Sequence, residues 1–187
     1  MKKFLLVLVF TSIIASGYVK PIVSGSYQID ATKNSVFHNA VGLRYLEEHC
    51  YYAAVQEFKI AISLNPNSQS AAISYNNLGR AYMALGFAEQ AQDCFERAIS
   101  LYGLNFEYYK NLANCYSALG KAKQKITEYR NDKSNPLNQI MLGLLYIMNG
   151  DKRAGMITLD SFCMSEPKLI ITDGVRTYLR QLSQESD

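Results

Sequence analysis

Two pairs of side chains, Asn76/Arg80 and Lys110/Asn114, carry the recognition chemistry that is easiest to read from this sequence. Each pair is spaced i, i+4, which puts both members on one face of a helix. An asparagine amide offers a donor and an acceptor to an extended peptide backbone, and lysine or arginine can hold a carboxylate. Two further pairs share the spacing, Asn39/Leu43 and Ile140/Leu144. Catalytic chemistry is not apparent. The two histidines are His38 and His49, and neither forms a recognisable arrangement with a serine or cysteine. No carboxylate pair stands out, no cysteine pair has metal-ligand spacing, and the glycines form no phosphate-cradling loop. The expectation is a protein that is not an enzyme and takes no cofactor or metal.

The elements that must position these pairs recur roughly every 34 residues. Around Gly79 stand Tyr75, Leu78, Tyr82, Gly86, Ala91, Phe95 and Ala98. Around Gly42 the same spacing gives His38, Val41, Tyr45, Ala54, Phe58, Ala61 and Pro66. This pattern resembles the tetratricopeptide repeat: an aromatic, Leu-Gly, Tyr, Ala-x3-Phe and Pro. The resemblance implies an all-α fold, a right-handed solenoid of four helix-turn-helix repeats. The units fall at 35–68, 72–105, 106–135 and 136–169, with 69–71 inserted between the first two. Each is an antiparallel helix pair that cannot bury its apolar face alone, so neighbours must stack. Gly42, Gly79, Ala113 and Gly143 are the small residues of the close helix crossings. Tyr45, Tyr82, Tyr116 and Tyr146, with Phe58, Phe95, Leu159 and Phe162, are expected to fill the space between units. Gly86, Gly120 and Gly150 are expected to turn the chain with positive φ.

The third unit departs from the pattern. Lys125 and Asp132 stand where small residues are expected, and the unit is short. Its second helix is therefore truncated or shifted in register. Beyond Pro167, residues 170–187 read as a capping helix, with Val175, Tyr178, Leu179 and Leu182 on one face and Thr172 or Asp173 as its N-cap.

In the resembling family the first helices line a groove for a peptide or partner helix. The residues three before and one after each small residue point into it. Here these are Asn39 and Leu43, Asn76 and Arg80, Lys110 and Asn114, and Ile140 and Leu144. The expected partner is a protein or peptide segment, with an acidic group or free C-terminus over the middle units and apolar residues toward Ile140 and Leu144. The Lys110/Asn114 pair resembles part of the carboxylate clamp that holds chaperone C-termini. The next unit offers only Leu137 and Met141 where that clamp needs polar residues. The apolar helix around Ile140 and Met148 must be buried on every side or meet a partner.

The formal net charge is +3, and loss of Lys2 and Lys3 would bring it to +1, too weak a footprint for nucleic acid. Lys121, Lys123 and Lys125 read as a solvated outer face. The four cysteines, Cys50, Cys94, Cys115 and Cys163, are scattered over the units and read as mostly buried free thiols. Lys2-Lys3, a short apolar stretch and Ala15-Ser16-Gly17 read as a secretory signal over 1–17, followed by a linker over 18–34. The alternative is an uncleaved membrane anchor, although spanning needs about 20 apolar residues and Lys20 and Pro21 interrupt this stretch. The function expected is an exported, periplasmic or extracellular adaptor that assembles an envelope complex. The alternative is a membrane-tethered structural subunit of a secretion or pilus-type machine. Mass spectrometry of the protein from its native host is expected to find a chain beginning near Tyr18. An intact Met1 in membrane-bound protein would favour the anchor.

Overall fold

The computed structural model describes residues 34–184, and the expected signal and nearly all of the linker lie outside them. The described residues belong to one compact unit. They form helices α1 (Ser35–Glu47), α2 (Tyr51–Leu64), α3 (Gln69–Ala84), α4 (Ala88–Leu101), α5 (Phe106–Ala118), α6 (Ala122–Asn131), α7 (Asn138–Met148), α8 (Lys152–Ser165) and α9 (Ile170–Gln184). No strand occurs among them. No helix among them is long and apolar enough to cross a membrane.

Local sequence starts and stops these helices. Asn34, Ser68, Asn105 and Asp151 are side-chain N-caps, accepting from the backbone N–H of Phe37, Ala71, Glu107 and Ala154. Such caps each contribute about 1 kcal/mol. Ser68 starts α3 at Gln69, so residues 69–71 form its first turn, and α3 has 16 residues against 13 in α1 and α5. The tight turns inside the second, third and fourth pairs use positive φ at Gly86, Gly120 and Gly150. The first pair uses the same conformation at His49, with φ 59° and no glycine. Pro66 and Pro167 lie two residues beyond the ends of α2 and α8.

Each well-formed pair is organised by one close approach. A β-carbon added at Gly42 would stand 2.6 Å from the Phe58 ring, and one at Gly79 would stand 2.6 Å from the Phe95 ring. Phe58 and Phe95 therefore fill the crossings inside their own pairs, and not chiefly the space between pairs. In the fourth pair the glycines face each other: a β-carbon at Gly155 would meet the Gly143 carbonyl at 2.6 Å. Between pairs the tyrosines serve as expected. Tyr116 is buried on α5, and its hydroxyl donates to Glu96 Oε1 of α4 at 2.8 Å.

The third pair is splayed. Helix α6 has 10 residues, against 14 in α2, α4 and α8. It packs far more on α7 than on its own partner α5. Only Ala122 and Ile126 of α6 are buried. Helix α7 meets α5, α6 and α8, so the apolar helix is covered on several sides by its neighbours. The largest core cluster runs from α4 to α9, and a smaller one joins the first two pairs.

Helix α9 caps this end with Val175 and Leu182 inward and Arg180, Gln181 and Gln184 outward. It starts two residues before Thr172, which is thus not its N-cap. Thr172 is buried, and its hydroxyl donates to the Glu166 carbonyl at 2.6 Å.

The change Gly79→Leu is expected to overpack the Phe95 contact and cost about 3 kcal/mol or more, read as a lower midpoint in thermal melts by circular dichroism. His49→Gly is expected to act in the opposite direction. It relieves a left-handed conformation that costs a side-chain-bearing residue about 1–2 kcal/mol, so the melting temperature should rise.

Candidate partner-binding face

The first helices α1, α3 and α5 are tied to one another by polar side chains. Asn39 Oδ1 on α1 accepts from Ser74 Oγ at 3.2 Å and from Asn77 Nδ2 at 3.1 Å on α3. Asn76 Oδ1 accepts from Asn111 Nδ2 on α5 at 2.8 Å. Arg80 Nη1 donates to Asn77 Oδ1 at 3.2 Å. Ser74, Asn76 and Asn77 are buried, and buried polar groups must be paired or cost stability.

This network changes the part assigned to the asparagines. Asn39 and Asn76 spend their carbonyl oxygens inside the fold, and Asn76 is only 7 % exposed. They hold the first helices in register and keep only amide donors for a ligand. Ile140 and Leu144 depart further from expectation. Both are fully buried in the main cluster, because α7 is packed against α5, α6 and α8. They are core residues and offer no apolar end to an open groove. Leu43 is half-buried against the smaller cluster. Arg80 and Asn114 are exposed and Lys110 is partly so.

Lys110 opens onto a cleft of about 660 Å³ between the start of α5 and helix α9. Tyr102, Phe106, Ile170, Tyr178 and Gln181 line it with Lys110. The Phe106 and Tyr178 rings lie 5.5 Å apart. The Lys110 ammonium stands 5.5 Å from the Tyr178 ring centre and 6.0 Å from that of Phe106, and it donates to Glu107 Oε1 at 2.9 Å. The cleft therefore joins an aromatic wall to an oriented cation. The sequence showed α9 as a cap but not as a wall of this cleft. One signal was available: Gly174 interrupts an otherwise good helix, at a cost of about 1 kcal/mol. The structure gives the reason, since a β-carbon there would stand 3.0 Å from Phe106 Cβ.

The cysteines among the described residues are all free. Cys94, Cys115 and Cys163 are buried free thiols, and Cys50 is free and exposed. Burial pushes the Cys94 thiol up to about 12 and the Cys115 thiol up to about 11, so neither supplies a thiolate near neutral pH. Cys115 Sγ instead donates to the Ala88 carbonyl at 3.1 Å. His38 does pack as an aromatic would, but it also pairs with Glu57, Nδ1 to Oε2 at 2.7 Å, and both side chains are buried. Among the described residues no group of three His, Cys, Asp or Glu side chains could hold a metal ion. Of the lysine run, Lys121 donates to Gln92 Oε1 and Lys125 to Glu128 Oε2, while Lys123 is exposed.

Residues 69–130, from the start of α3 to the last turn of α6, match the tetratricopeptide repeat family. The fold is a tetratricopeptide-repeat solenoid. Solved structures that the chain resembles include Pseudomonas aeruginosa pilF, 14 % identical, which aligns over 79 % of this chain and 68 % of that one with a TM-score of 0.50. MamA is 15 % identical over 80 % of this chain and 90 % of its own, with a TM-score of 0.48. The second tetratricopeptide domain of human RPAP3, solved with the HSP70 peptide SGPTIEEVD, is 15 % identical over 68 % and 93 %, with a TM-score of 0.47. No curated protein matches the chain. The repeat match takes in the splayed third pair, so α5 and α6 are a distorted repeat and not a foreign insertion.

Proposed function

We propose that this protein is an exported, non-catalytic adaptor that holds a segment of a partner protein on the face formed by its first helices, in the assembly of an envelope complex. One observation carries the reading: Lys110, on that face, opens onto the aromatic cleft between α5 and α9. Arg80 is an exposed cation on the neighbouring first helix, and Asn114 lies one turn beyond Lys110. This combination suits a short segment with a carboxylate and an aromatic or aliphatic side chain. The carboxylate meets Lys110 or Arg80, and the apolar group lies against Phe106, Tyr178 and Ile170. That last contact replaces the role first given to Ile140 and Leu144. Export rests on Lys2-Lys3, the apolar stretch and Ala15-Ser16-Gly17.

A photo-crosslinking residue in place of Asn114 tests the reading in the native host. It should trap a discrete partner, and one in place of Lys123 on α6 should not. The double change Arg80→Ala/Lys110→Ala should weaken that capture at least about tenfold, the effect of losing about 1.4 kcal/mol, without lowering the melting temperature. Arg80 is exposed and Lys110 partly so, and their existing polar contacts therefore add little stability. Capture from position 123 alone, or capture that survives the double change, sinks the proposal.

A further inference from the structure

The splayed third pair leaves a second cleft, whose lining shares no residue with the first. Helix α6 stops about one turn before a full-length second helix would. Beyond its end lies a cleft of about 420 Å³ between the 132–137 loop, α7 and α8. Its floor is apolar, with Tyr129, Pro136, Leu142 and Ile157. Ile157 is 60 % exposed. Two turns along α8, on the same helical face, Met164 is 77 % exposed.

The charges at the cleft are not balanced within the protein. Asp132 is spent locally: Oδ1 accepts from the Ser134 backbone N–H at 3.0 Å and its hydroxyl at 2.6 Å, and Oδ2 accepts from Asn138 Nδ2 at 3.0 Å. Those bonds hold its carboxyl below the usual range. Arg130 donates from Nε and Nη2 to the neutral Tyr146 hydroxyl at 3.1 and 2.9 Å, with its guanidinium 5.7 Å from that ring centre. The phenol orients the guanidinium without neutralising it, and Nη1 remains for a ligand. Lys133 is exposed beside it. The rim thus presents two cations and one carboxylate, that of Asp132, whose oxygens are turned to Ser134 of its own loop and to Asn138, so the charge over the apolar floor is net positive.

We propose that this cleft is a second docking site, independent of the first-helix face, for an apolar side chain adjoining a carboxylate in an acidic segment of a partner protein. The apolar group fills the space vacated by the missing turn of α6, against Leu142 and Ile157, and the carboxylate accepts from Arg130 and Lys133.

The test uses the full chain with labelled isoleucine and leucine methyl groups, titrated by nuclear magnetic resonance. The probes are 3-phenylpropionate, its neutral amide and 2-phenylethylammonium. The expected result is a shift of the Ile157 and Leu142 methyl signals, with the acid bound about three- to fivefold more tightly than the amide, as partly exposed ion pairs allow. Arg130→Gln/Lys133→Gln should erase that preference while leaving amide binding in place. A preference below about twofold in the unaltered protein, one that survives the double change, or equal binding of the ammonium probe would overturn the proposal. So would shifts confined to Ile170 on the other cleft, or none.

Discussion

The contact between a small residue on the first helix and a large side chain on the second sets the geometry of this protein. Where Gly42 meets Phe58 and Gly79 meets Phe95, there is no room for even one added carbon. That proximity brings two backbones close enough to bury their shared face, and it fixes which residues of the first helix point outward. The ties Asn39–Asn77 and Asn76–Asn111 follow from it, because they need neighbouring first helices to lie side by side. The third pair is less regular. Ala113 and Tyr129 stand where Gly79 and Phe95 do, but Lys125 stands where Ala91 does, and α6 packs more on α7 than on α5.

Two surfaces come from the same scaffold by different physical routes. The aromatic cleft at α5 is built by addition, since α9 folds back and brings Tyr178 to Phe106. The second cleft is built by omission, since it lies where α6 ends early beside α7 and α8. In both, a cation is oriented by an aromatic ring beside apolar surface. Lys110 stands over Phe106 and Tyr178, and Arg130 over Tyr146.

The helix pairs were legible because their signals are local and steric. A glycine at a crossing or a positive-φ turn has few substitutes, so Gly42, Gly79, Gly86, Gly120, Gly143 and Gly150 mark the fold from sequence alone. His49 shows that the turn slot accepts another residue where the strain is borne. The candidate site was less legible. Asn39 and Asn76 look like ligand donors until their partners, more than thirty residues away, are placed beside them. Ile140 and Leu144 occupy groove positions by count, but the shifted packing around α7 buries them. The irregularity of the third pair could be read from Lys125 and Asp132. The cleft it opens could not, since that depends on where α6 goes instead. The aromatic cleft needed knowledge that α9 returns to α5, for which Gly174 alone gives a hint.

That return has a consequence for how the molecule comes apart. A solenoid whose units touch only their neighbours melts like a row of dominoes, from whichever end is weaker. Contact between Phe106 and Tyr178 skips over α6, α7 and α8 and closes a ring through the sequence. The ring ties α9 to α5 as well as to α8, so releasing the last helix also breaks a contact with the third pair. The first pair lies outside the ring, joined through a smaller cluster. Both clefts are lined mostly by helices of the ring.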